Sequence, residues 1–146
     1  MRAQEFAAVA SRLAQIPTVG PADFRTSISR ACYAAYLVAV DALTHIGAVP
    51  HAGPGGHSEV ANSLIASGDD ALVDGGRALS DLHTRRIHAD YRMARTDVET
   101  RTSAQSACKI AQDVIRELES FCADQARCTA AKANIDAHLR AGAGGS

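Results

Sequence analysis

Apolar residues recur at three- and four-residue spacing along most of the chain, and nowhere does apolar/polar alternation last long enough for a strand. Phe6, Val9, Ala10, Leu13 and Ile16 mark one face of a first helix, from about Ala3 to Ile16, which Pro17-Thr18-Val19-Gly20-Pro21 ends. A second helix starts near Pro21 or Ala22, where proline is tolerated in a first turn, and persists to about Ile46 before Gly47. Its middle is apolar all round, the mark of a central helix in a bundle. Glycine and proline make His51-Ala52-Gly53-Pro54-Gly55-Gly56 a loop, expected to be mobile. Ser58 then reads as the N-cap of a short third helix reaching about Ser67, with Gly68 as its stop.

A fourth helix is predicted from about Asp70 to Ala94, with Gly75-Gly76 weakening its first turns and marking a kink. The fifth, from about Glu99 to Leu139, shows the cleanest period: Ala104, Ala107, Ala111, Val114, Leu118 and Phe121, flanked by Cys108, Ile115 and Cys122. A break is expected near Ala123 to Ala126, and the glycine-rich segment 141–146 reads as a disordered tail. The pattern predicts an all-α, up-and-down bundle of about five helices, one domain spanning 1–140.

Composition narrows the function classes. At 146 residues with net charge −1, the chain can bury a single core but has no global positive field to hold a nucleic-acid backbone non-specifically. Any such binding must be local. Between Arg77 and Arg101 six arginines (77, 85, 86, 92, 95 and 101) face four acids, Asp81, Asp90, Asp97 and Glu99, a modest basic patch or simply a solvated helix face. Cys32, Cys108, Cys122 and Cys128 form no CxxC and follow no secretory signal, so they are expected to be reduced core residues of a cytoplasmic protein. The longest apolar run, Ala31 to Val40, is about half of what a bilayer span needs, so no membrane segment is expected.

No cofactor or metal is called for. Gly53-Pro54-Gly55-Gly56 lacks the lysine and preceding strand of a phosphate loop, and His45, His51 and His57 recur at six-residue intervals without a second ligand set.

Chemistry concentrates in two segments that set arginine and tyrosine in an otherwise apolar helical context: 24–36, FRTSISRACYAAY, and 82–91, LHTRRIHADY. In the first, Arg30, Tyr33 and Leu37 share a face, so Arg30 enters the apolar part of the helix and needs an acceptor. In the second, Arg86 and Asp90 are i and i+4, about 40° apart, and can pair along one side. Arg85 with His88, and His88 with Tyr91, are i and i+3 on a neighbouring side. By spacing alone, Arg86 and Asp90 are an ordinary helical ion pair worth ~0.3–0.5 kcal/mol if exposed.

The two segments together resemble the HEPN domain superfamily of short helical bundles. The likeness is to the branch whose second helix reads R-x-Y-Y-A and whose fourth reads R-x-x-A-D-Y. The first motif stands as Arg30-Ala31-Cys32-Tyr33-Ala34, with cysteine for the first tyrosine, and the second stands intact from Arg86 to Tyr91. Helix order fits over nearly the whole chain, and His57 sits where similar sequences carry a histidine before helix three.

The resemblance implies a C2 homodimer acting as effector of a bacterial toxin–antitoxin or phage-defence module, encoded beside a small nucleotidyltransferase antitoxin. Its implied activity is metal-independent RNA cleavage, in which a histidine moves protons and an arginine steadies the phosphoryl charge. Arg85, Arg86, His88, Asp90 and Tyr91 would form the site, with Arg30, Tyr33 and His57 in support. The family's cleavage motif, arginine and histidine separated by four to six residues, is not met from Arg85 or Arg86: from Arg85 the fifth residue on is Asp90, and from Arg86 it is Tyr91. His88 would have to substitute. The other reading is a non-catalytic binding module that holds a nucleotide or docks the nucleotidyltransferase. Tyr91 resembles a tyrosine that accepts AMP from such a partner; otherwise its ring packs in the bundle and its hydroxyl bonds Arg30 or Asp90.

Overall fold

The computed structural model describes residues 2–48 and 55–144. Six helices make up the bundle: α1 (Ala3–Gln15), α2 (Pro21–His45), α3 (Gly56–Ala66), α4 (Asp70–Tyr91), α5 (Arg101–Cys122) and α6 (Gln125–Ala143). A 3₁₀ turn, Thr96–Val98, joins α4 to α5, and no strand occurs among the described residues. The all-α bundle expected from the hydrophobic period is what forms.

As its apolar middle predicts, α2 is central and packs against α1, α3, α4 and α5. Ala31, Cys32, Ala34, Ala35 and Ala39 have no exposed surface, and their small side chains let several helices approach one axis closely. The α6 helix lies against α3 and α5 at the edge. No helix among the described residues is long and apolar enough to cross a membrane.

Several element ends differ from expectation, each for a local reason. The long fifth helix divides within the expected break: α5 ends at Cys122 and Asp124 caps α6 by accepting from the Arg127 amide at 3.1 Å, so five helices become six. Thr100 caps α5 by accepting from the Ser103 amide, which moves that start two residues past Glu99. Segment 141–146, expected to be disordered, is helical through Ala143, because the Gly144 amide still reaches the Arg140 carbonyl at 3.2 Å. Residues 145–146 and most of the expected loop, 49–54, lie outside the described residues. Helix α3 begins before Ser58, its expected cap, because Gly55 takes a φ of +96° that other residues seldom adopt and turns the chain into the helix.

Helix α4 is unbroken through Gly75-Gly76. Its first turn is held by Asp69, which accepts from the Leu72 amide at 3.2 Å and takes a two-point ion pair from Arg127 at 2.7 and 2.8 Å. Gly76 marks the close approach of α3: a Cβ there would lie 2.6 Å from the Ala61 carbonyl oxygen and 2.8 Å from Ile65 Cγ1. A Cβ at Gly75 would meet nothing within 4 Å.

Gly75→Ala is therefore expected to stabilise the fold by about 0.5–1 kcal/mol through helix propensity, and Gly76→Ala to destabilise it by about 1–3 kcal/mol through overpacking, both read by urea unfolding. The Arg127 hydrogen bonds hold the Asp69 carboxyl below its usual range, with the Leu72 amide adding to this against burial. A depressed folded pKa contributes stability that is complete above the unfolded value of about 3.9 and is lost as pH falls through the lower folded value. Asp69→Asn should cost about 1 kcal/mol at neutral pH, and its gap from wild type should close in that acid window.

Candidate functional site

A stripe on α2, Arg25–Ser29–Cys32–Tyr36, falls at i, i+4, i+7 and i+11 and faces the C-terminal half of α4 and the start of α3. Contacts run in opposite order along α2 and α4, so the two helices are antiparallel here. Arg25, only 8% exposed, reaches the end of α4. It donates to the carbonyls of His88 (3.1 Å), Ala89 (2.8 Å), Met93 (3.2 Å) and Arg95 (3.0 Å), and its Nε donates to Glu99 at 2.8 Å. One guanidinium thus adds a partner to carbonyls in the last turn of α4 and in the segment after it, among them that of His88, which also accepts from the Arg92 amide at 3.2 Å.

One turn along, Ser29 Oγ donates to Asp90 Oδ2 at 3.1 Å, and Arg86 Nε donates to the same oxygen at 3.2 Å. The ion pair expected from i,i+4 spacing forms, with both side chains 27% exposed. Arg86 Nη1 also lies 3.2 Å from His57 Nε2. Because a guanidinium only donates, Nε2 is the acceptor and the ring proton sits on Nδ1. The His57 ring packs on Tyr36, with centroids 4.0 Å apart, and stacks on His83 at 4.4 Å.

Burial, then the neighbouring His83 and Arg86, lowers the His57 pKa to about 4, so the ring is neutral at physiological pH. Burial, then Arg86, lowers that of His83 as well. The Cys32 thiol is pushed up to about 11, mainly by burial and further by the Asp90 charge, with Arg86 opposing. A cleft of about 190 Å³, lined by His57, Ser58, Ser80, His83 and Thr84, opens beside the two rings at the N-terminus of α3.

Arg86, Asp90 and His57 are thus brought together, and the other expected site residues lie elsewhere. Arg85 turns towards α5, bonding Asp81 at 2.8 Å and Ser106 at 3.2 Å. His88 is two residues past Arg86, about 200° around the helix, where its backbone serves Arg25. Tyr91 is 71% exposed, so its ring does not pack in the bundle as one reading expected. Arg30 is also exposed rather than drawn into the apolar core: its guanidinium lies 5.7 Å from the Phe6 ring centroid, and Tyr33 packs edge-on to the same ring. Both bind α1 instead of α4.

Four residues near Arg86 had no site role in the sequence reading: Ser29, Cys32, Tyr36 and His83. For Ser29, Cys32 and Tyr36 the signal was the stripe on α2, legible in phase but not in direction; His83 lies on α4, one turn before Arg86. A groove of about 520 Å³ between α4 and α5 is lined by none of these residues and is edged by Asp70, Asp74, Asp113 and Glu117, which would repel phosphate.

No family model matches the chain, and no curated protein or solved structure is significantly similar to it.

Arg25→Met is expected to cost about 3–5 kcal/mol in urea unfolding, because it strands Glu99 and several carbonyls together.

Proposed function

We propose that the chain is a HEPN-type effector of a toxin–antitoxin or phage-defence module, cytoplasmic and dimeric, that engages RNA through Arg86 and His57. The 3.2 Å contact between Arg86 and His57 carries the reading. The arginine–histidine pair that the family motif needs along one helix is, for Arg86, supplied across two, His57 from α3 standing in for the histidine that α4 lacks at the motif's spacing after Arg86.

Arg86 is the phosphate ligand in this reading, and Asp90 and Ser29 fix its direction. The cleft beside His57 adds the hydroxyl groups of Ser58, Ser80 and Thr84 and the N-terminal end of α3, which favours anions. In cleavage, Arg86 turns from His57 to the phosphate, and the ribose 2′-oxygen attacks the adjacent phosphorus and loses its proton to the Nε2 so freed. The bond from phosphorus to the 5′-oxygen breaks, leaving a cyclic phosphate, and the departing 5′-oxygen takes a proton from water or from the protonated His57 to become a hydroxyl. A ring with so low a pKa is a weak base, which makes the predicted turnover slow.

A second reading, a non-catalytic module that docks a nucleotidyltransferase, is favoured by the exposure of Tyr91 and Met93 at 71% and 66%. Tyr91 ends α4 and Met93 follows it, so a partner or a second copy docking there would cover both.

Expression of wild type alone should arrest bacterial growth, and Arg86→Ala should relieve the arrest with its helix content unchanged. On purified single-stranded RNA the same substitution should slow cleavage about 10²–10³-fold. Harmless wild type, or RNA left intact at equal rates by both proteins, sinks the effector reading. Adenylylation of Tyr91 by a neighbouring nucleotidyltransferase, seen by mass spectrometry, would favour the second.

A further inference from the structure

We propose that Cys32, His57 and His83 form a binding site for a zinc-class transition metal. The Cys32 thiol from α2 and the imidazoles of His57 from α3 and His83 from α4 offer donor atoms that all lie within 4.8 Å of one another. Donors around a tetrahedral zinc stand about 3.5 Å apart, so small side-chain rotations would close the set.

A second observation points into the same place. His83 Nδ1 is a buried nitrogen with no hydrogen-bond partner among the described residues. A buried polar atom without a partner is costly, and a metal would supply one. One thiolate and two imidazoles select zinc or cuprous ion over magnesium or calcium.

Binding replaces the thiol proton by a sulfur–metal bond and releases one proton to solvent. Coordination by either nitrogen of His57 costs the hydrogen bond from Arg86, which keeps its ion pair with Asp90. The thiolate and Asp90 together offset two positive charges nearby. The cleft flanking His57 and His83 gives an ion a path from solvent and leaves room for water as a fourth ligand. The site does not rest on the RNA reading, in which Cys32 and His83 have no part.

Cobalt titration of the full chain, stripped of metal and reduced, tests the site. One equivalent of Co²⁺ should produce a thiolate-to-cobalt charge-transfer band, and zinc should abolish it. Zinc, but not magnesium, should raise the melting temperature. Cys32→Ser should remove the charge-transfer band, and His83→Ala should weaken binding at least about 100-fold. His45→Ala, an exposed histidine elsewhere, should bind as wild type. Arg86→Ala should keep the cobalt signal while losing toxicity, so the two readings stand or fall separately. Wild type that shows no saturable band overturns the site, whatever the variants do. So does His83→Ala that retains helix content and binds cobalt as tightly as wild type.

Discussion

An all-helical protein must find partners for the carbonyls at every helix end it buries, and here that demand is met by long side chains from other helices. Arg25 of α2 does it for α4, taking the His88 and Ala89 carbonyls and tying them to Glu99. Arg101 of α5 does it for α1, donating to Ala14 and Ile16. Asn134 of α6 donates to the Ser67 carbonyl at the end of α3, at 2.7 Å. Each of these bonds satisfies a helix end and also fixes how two helices sit against one another.

The Arg25 bond matters most to the candidate site because it sets the height of α4 along α2. With the end of α4 pinned at Arg25, Asp90 falls beside Ser29 and Arg86 beside Cys32 and His57. A slip of one turn, about 5.4 Å, would break the three-way contact of Ser29, Asp90 and Arg86. The cluster is therefore a product of register, which one buried charged group enforces at a high cost if removed.

Within the cluster, polar groups are crowded into a region of small apolar side chains. Arg86 and Asp90 are each 27% exposed and paired with one another. The two histidines and Cys32 have no such pairing, so burial keeps them uncharged. His57 stands where both tendencies meet, since its lone pair can accept from Arg86 or from a metal but not from both. An ion held by the sulfur and imidazoles would take the lone pair that RNA cleavage asks of the same ring.

The bundle was legible because helix formation is read from local spacing: the centrality of α2, the Arg86–Asp90 pair and the break after Cys122 all follow from periodicity and capping. Helix ends were legible only to within a turn, since Gly55 and the Ala141–Ala143 segment obey backbone geometry that composition does not display. The candidate site was legible in part. Arg86, Asp90 and His57 were in hand, and Arg30 and Tyr33 do share a face, but that face meets α1 and not the site, and Arg25, Tyr36 and His83 had no assigned role. Helical phase tells which residues share a face of one helix, and the chain's own spacing determined that much. Which face of α2 meets α4, and that residues 32, 57 and 83 converge, is decided by packing among three helices, an interaction between distant segments that no local spacing contains.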